Sequence, residues 1–181
     1  MVKLINLSHN FESKELFTLL NHEFPEGIHA LCGRSGCGKT TLLRIIAGLV
    51  KQSNGEVYVD TPLSFSFQDG VLFPWYTAKK NIEIVSNSQT AMDLLKEFDL
   101  IKDANTLPSK LSGGMKNRVS IARALAYDSK TVLLDEPFAG LDAETANKSL
   151  EIIRRYTKGK TVIISTHNID IANQLDSILY L

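Results

Sequence analysis

Eight consecutive residues, Gly33-Arg34-Ser35-Gly36-Cys37-Gly38-Lys39-Thr40, match the spacing G-x-x-x-x-G-K-[ST]. Glycines at these places let successive backbone N–H groups converge on phosphate oxygens without Cβ obstruction, and a helix beginning there adds its positive dipole end. Lys39 is then placed to reach β- and γ-phosphates. The Thr40 hydroxyl is a ligand for Mg²⁺, and Thr41 can bond the α-phosphate. The chemistry implied is capture of ATP with its metal. Cys37 sits among the loop amides, either as a reactive thiol or as a small residue that fits.

A second constellation lies at Asp135-Glu136, directly after the apolar run Thr131-Val132-Leu133-Leu134. Two carboxylates at the carboxyl end of a buried strand stand on the edge where open α/β sheets bind ligands. Asp135 is assigned to Mg²⁺, and Glu136 to polarising the attacking water. Gln68 follows the expected strand Leu63 to Phe67, and His167 follows Thr161 to Ser165, so both can project from that edge toward a γ-phosphate. A third feature is Leu111-Ser112-Gly113-Gly114-Met115, which precedes a helix running to Tyr127. Ser112 can cap that helix, and Gly113 and Gly114 expose its first N–H groups. With no acid beside it, this helix start reads as an anion site.

The elements that must carry these residues can be read from periodicity. Val2, Leu4 and the apolar positions of Lys14 to Leu20 alternate loosely as strands. Gly27 to Cys32 is a strand feeding the glycine loop. Thr40 to Val50 is expected as a helix with Leu42, Leu43, Ile46 and Leu49 on one face, followed by a Ser53-Asn54-Gly55 turn into the strand Glu56 to Val59. From Thr77 to Tyr127 the pattern is helical. A helix is expected over Ala143 to Tyr156 with Ala143, Ala146, Leu150 and Ile153 inward, and strands over Thr161 to Ser165 and Ser177 to Leu181. Strands alternating with helices imply a mainly parallel sheet in an α/β fold.

In this order and spacing the motifs resemble those of the ATP-binding subunits of the ABC transporter family. The match runs through the phosphate loop Gly33 to Thr41, Gln68 as the Q-loop glutamine, Leu111 to Met115 as the signature, and Asp135 with Glu136. It continues through Ala139-Gly140-Leu141-Asp142 as the D-loop and His167 as the switch histidine. Phe67-Gln68-Asp69 through Leu72-Phe73-Pro74-Trp75, together with the signature, is similar to the nitrate, sulfonate and taurine importer branch. Asn117 stands where the family more often has Gln, and the stretch from Gly55 to Gln68 is shorter than usual.

The resemblance implies a P-loop NTPase core over 1–68 and 128–181, with an N-terminal antiparallel β portion and an inserted α-helical subdomain over 69–127. It implies ATP hydrolysis in a homodimer or paired cassette arranged head to tail, each signature closing on the nucleotide held by the other chain. Glu136, His167, Gln68 and Lys39 are then catalytic. The nucleotide is held by Phe11 against adenine, by Gly33 to Thr41, and by Ser112, Gly113, Gly114 and Asp142. Mg²⁺ falls to Thr40, Gln68 and Asp135. Transmembrane permease subunits and an extracytoplasmic solute-binding protein are the implied partners, and the cytoplasmic face of the membrane is the implied location. The apolar loop Val71 to Tyr76 is expected to dock a membrane subunit or, failing that, to form a small local core.

Composition bounds the alternatives. Hydrophobic residues make up 44% and charged residues 22%, as in ordinary globular chains. Twenty basic residues balance twenty acidic ones, so no overall charge draws the chain to nucleic acid. The longest apolar run, Leu42 to Val50, contains Arg44 and falls far short of the roughly 20 residues that span a bilayer. No secretory signal is visible at the start, and Cys32 and Cys37 are too few for a disulfide framework. A chain of 181 residues also leaves no room for the long coiled coils of chromosome and repair ATPases. The alternative that stays open is a soluble ABC ATPase acting on a protein complex without moving a solute.

Overall fold

Continuous apolar runs and amphipathic stretches partition the chain between two units. In a computed structural model the described residues are 1–11 and 14–181, and the side chains of 11–14 lie outside the description. One unit comprises Met1–Leu63, Ser129–Asp135 and Gly159–Leu181. The other comprises Ser64–Asp128 and Glu136–Lys158.

The first unit opens with an antiparallel sheet of β1 (Val2–Phe11), β2 (Lys14–Phe24) and β4 (Asn54–Val59), ordered β2-β1-β4. The buried side chains of β1 are Val2 and Leu4, then Leu7 and His9, so the alternation changes parity midway. A bulge is the cause: Asn6 adopts φ 47°, and the register shifts between Leu4 and Leu7. Asn6 and Asn21 hold the bulge with reciprocal bonds of 2.9 Å, Asn6 N donating to Asn21 Oδ1 and Asn21 Nδ2 to Asn6 Oδ1.

The strands β3 (Gly27–Cys32), β6 (Thr131–Asp135) and β7 (Thr161–Thr166) are buried almost without interruption, as strands covered on both faces must be. With β8 (Ser177–Tyr180) and β5 (Leu63–Ser66) they form a sheet of order β5-β6-β7-β3-β8. The pairs β6–β7, β3–β7 and β3–β8 are parallel, with Asp135 beside Ser165 and Cys32 beside Thr166.

Helix α1 (Lys39–Ile46) is shorter than the periodicity suggests. Gly48 at φ 70° ends it: Gly48 N donates to Ile45 O and Leu49 N to Arg44 O, the paired bonds of a Schellman stop. Leu49 is therefore carried off the helix and is 57% exposed, against the expectation that it faces inward.

The second unit holds the helices α2 (Ala78–Glu83), α3 (Ser88–Glu97), α4 (Gly113–Ala126) and α5 (Ala143–Tyr156). Each start is capped by a side chain that accepts an amide three residues on: Thr77, Asn87, Ser112 and Asp142. Ile82, Leu94, Leu95, Phe98, Val119 and Ile121 are buried, and Ser66 shares a 2.8 Å hydroxyl bond with Ser120. Ala146, Ser149, Leu150, Ile152 and Ile153 form the inner face of α5. Ala143 is exposed, contrary to expectation, because it is the first residue after the cap and precedes the packed turns. Arg155 pairs bidentately with Glu97 at 2.7 and 3.2 Å, and Lys148 pairs with Asp99. Among the described residues no helix is long and apolar enough to cross a membrane. A four-residue α6 (Ile169–Ala172), capped by Asn168, returns to the first unit and is too short to leave a periodic signal.

Candidate functional site

In the first unit, β3 runs into the loop that ends at Gly38, the cap residue of α1. Gly33 stands at φ 154°, and a Cβ there would lie 2.6 Å from Cys37 Sγ and 2.8 Å from the Leu181 carbonyl oxygen. Only glycine fits that crossing. Lys39 is buried, and its Nζ donates to the carbonyls of Gly33 at 2.9 Å and Arg34 at 3.4 Å, so the ammonium is held over the loop.

One helical residue later, Thr40 Oγ1 donates to Asp135 Oδ1 at 3.1 Å. Asp135 is 2% exposed, and the same Oδ1 accepts from Ser165 Oγ at 2.6 Å. The in-register parallel pairing of β6 with β7 sets Ser165 there. A buried carboxylate needs such donors, since leaving it unpaired carries a large desolvation cost. His167 follows the end of β7 and is exposed. The side chain of Phe11, expected against adenine, lies outside the described residues.

In the second unit, Gln68 is exposed and opens a 3-10 turn, Gln68–Gly70, in which Asp69 takes φ 64°. Glu136 is half-buried at φ 46°, a left-handed backbone that costs a branched-free but bulky residue about 1–2 kcal/mol. Ser112 is exposed, and its Oγ accepts from Met115 N at 3.2 Å, as expected for a cap. A cavity of about 650 Å³ opens over this helix start, lined by Ser112, Gly113, Gly114, Lys116, Gly140 and Asp142 among others. The first turn of α4 holds no acid, yet Asp69 and Asp142 line the same cavity. The helix tip is therefore not free of acids, as expected from its neighbours in sequence: the turn at Asp69 and the cap of α5 bring two carboxylates to it. Asp142 Oδ1 accepts from Thr145 N and Oδ2 from Thr145 Oγ1, both at 2.8 Å, which holds its carboxyl below the usual range.

The family model described as "ABC transporter" matches residues 20–139, from β2 through the phosphate loop, Gln68, Ser112, Asp135 and Glu136. The chain belongs to the ABC transporter family. It is 37% identical over 158 residues to the aliphatic sulfonates import ATP-binding protein SsuB 1 of Shouchella clausii, covering 83% of this chain and 64% of that one. It is 33% identical to the uncharacterized ABC transporter ATP-binding protein MJ0796 of Methanocaldococcus jannaschii, over all of this chain and 93% of that protein. A solved dimer of MJ0796, in a post-hydrolysis state bound to ADP and Pi, superposes with a TM-score of 0.92 at 32% identity, covering 100% of this chain and 94% of that one. The chain thus carries an ATPase cassette of the ABC type, and it spans about two thirds of the sulfonate relative's length.

Two features of this cassette escape a reading by motif. Ser165 looks like any polar strand residue until pairing sets it beside Asp135. Asn81 is fully buried in α2: its Nδ2 donates to the carbonyls of Phe73, Tyr76 and Thr77, and its Oδ1 accepts from Phe73 N at 2.8 Å. That amide folds the loop Val71 to Tyr76 and turns Trp75 outward, 67% exposed. Arg123 completes the loop, donating to Val71 O at 2.7 Å and lying 5.6 Å over the Phe73 ring. Burial lowers the guanidinium's pKa. The loop is therefore a surface feature and not a small local core.

Proposed function

We propose that the chain is the ATP-hydrolysing subunit of a membrane importer for a small sulfonate-like or nitrate-like solute, working as a head-to-tail pair. The observation that carries this reading is the buried Asp135, bonded to Thr40 at the first turn after the phosphate loop. The likeness to a sulfonate importer's ATP-binding protein and to a dimeric cassette supports the solute class and the pairing.

The loop amides and Lys39 hold the β- and γ-phosphates, and Thr41 bonds the α-phosphate. Glu136 takes the proton of the attacking water, with Gln68 and His167 orienting the γ-phosphate. Thr40, Asp135 and Gln68 offer hydroxyl, carboxylate and amide oxygens, the donor set that suits Mg²⁺. When bound, Mg²⁺ neutralises the charge that develops on the phosphate oxygens.

The tip of α4, with Ser112, Gly113 and Gly114, closes on the nucleotide held by the second copy, and Asp142 joins that interface. Each charge-assisted hydrogen bond made there contributes about 1.5–3 kcal/mol, so loss of the γ-phosphate weakens the closed pair selectively. ATP binding closes the pair and hydrolysis releases it. The loop around Trp75 docks a transmembrane permease subunit at the cytoplasmic face of the membrane. An extracytoplasmic solute-binding protein delivers the solute.

Glu136→Gln tests the reading. The variant is expected to bind ATP, to turn over about 10²-fold more slowly and to accumulate as the closed pair on size-exclusion chromatography. Wild-type turnover in that variant would remove Glu136 as the base. Co-purification with a multi-helix membrane protein supports the importer. Recovery with a soluble complex alone would favour an ABC ATPase that moves no solute.

A further inference from the structure

Asn117 lies one turn into α4 and is buried. Its Nδ2 donates to the carbonyl oxygen of Ala139 at 2.9 Å, in the segment that leads from Glu136 to the cap of α5. The Gln68–Gly70 turn packs on the same residue from another side. A Cβ on Gly70, which stands at φ 58°, would lie 2.5 Å from the Lys116 carbonyl carbon, 2.6 Å from Asn117 N and 2.8 Å from Asn117 Oδ1. On the preceding turn, Gly114 leaves space for Leu141, whose Cδ2 is 3.0 Å from where a Cβ would sit. Two loops remote in sequence, Gln68–Gly70 and the segment from Ala139 to Asp142, thus meet at one amide side chain in the first turns of α4.

We propose that Asn117 is a positioning residue that ties the Ala139–Asp142 segment and the Gln68–Gly70 turn to the first turns of α4. Its donor fixes the segment, and its compact side chain lets the Gly70 backbone seat against the helix. A change at Gln68 is then passed to the Ser112 tip and to Asp142 as one displacement, without independent rearrangements of the two loops. The catalytic consequence rests on the ATPase reading given above. The tether itself does not.

The test uses the full chain and two variants. Asn117→Asp keeps the shape but, when ionised, sets a carboxylate oxygen against the Ala139 carbonyl; only its protonated form can donate. Burial and that bond to the neutral form raise the pKa of the introduced carboxyl. Lys116, Arg118, Asp69 and Asp142 line the same cavity in wild type and variant alike, so the ratio of the two turnovers isolates position 117. At pH 8 the N117D variant is expected to turn over about 10-fold more slowly than wild type, with ATP affinity retained and the ratio recovering as pH falls. Asn117→Leu, with no donor at any pH, is expected to show the loss without the recovery.

Amide hydrogen exchange at Ala139, Gly140 and Leu141 in the nucleotide-free chain is expected to quicken in both variants at pH 8. This arm needs neither turnover nor a second copy. Unchanged exchange there, or variants that match wild-type turnover across the pH range, would overturn the tether. A wild-type chain inert toward ATP would overturn the ATPase reading and leave the tether to the exchange result.

Discussion

Ser165 donates its hydroxyl to Oδ1 of Asp135 at 2.6 Å, across two parallel strands that place the residues side by side. The bond is charge-assisted and both partners are buried. Ser165→Ala removes one of the two hydroxyl donors on that oxygen and leaves Thr40 as the other. The variant is expected to lose about 1.5–3 kcal/mol of stability, measured by urea unfolding. Its turnover should fall as well, because the carboxylate is less firmly aimed. A variant as stable as wild type would show that Thr40 alone satisfies the carboxylate.

Glu136 carries its proposed catalytic carboxylate on a left-handed backbone, φ 46°. Glycine adopts that conformation freely, so Glu136→Gly exchanges function for relaxation. The expected outcome is a thermal midpoint no lower than wild type alongside lost turnover. A clear fall in the midpoint would mean that contacts of the Glu136 side chain outweigh the strain.

Trp75 is the sole tryptophan of the chain and is two-thirds exposed, so its fluorescence reports on the loop alone. Emission in the isolated chain is expected to be that of a hydrated indole, shifting to shorter wavelength when the membrane partner binds. Trp75→Ala should leave ATP affinity unchanged and uncouple ATP turnover from transport in reconstituted vesicles. Transport at the wild-type rate would move the docking surface elsewhere.

His22 packs its ring 4.4 Å from Phe24, and its Nε2 is buried without a hydrogen-bond partner among the described residues. Burial, with a smaller contribution from the nearby His29, lowers its pKa below the ordinary 6.5. Above that value the ring is neutral in both folded and unfolded chains, and its contribution to stability is complete. As pH falls through it, the unfolded chain takes up the proton first, so stability declines until the folded value is passed. Thermal midpoints at pH 7.5 and 5.5 should therefore differ more for wild type than for His22→Gln, about as the linkage of one site requires. Parallel behaviour would remove His22 as the source.

Much of the fold is legible in the chain because its local rules agree. The glycine spacing, the buried runs of β3, β6 and β7, and the cap Ser112 all state their positions without help from tertiary structure. The stop of α1 is less legible: Ala47 and Gly48 lie within an apolar run, and the periodicity carries the eye on to Leu49. The parity change in β1 is hidden for a similar reason, since only its pairing with β2 and β4 reveals the extra residue at Asn6.

Of the candidate functional residues, those in contiguous motifs can be proposed from spacing alone. Ser165, Asn81 and Asn117 cannot, because each acts through a partner brought in by pairing or packing. Asn117 takes its meaning only from the carbonyl of Ala139. Asp69 joins the cavity by way of a turn, so inspection of the residues next to Ser112 misses its charge.

Both oxygens of the Asp142 carboxylate already accept from Thr145, in the bonds that start α5. Whatever approaches this residue from outside must bring donors of its own and share acceptors already engaged. A bare phosphate oxygen would meet only repulsion. Traffic between this acid and a phosphate is therefore confined to go-betweens that can donate: a water, a main-chain amide or a hydroxyl.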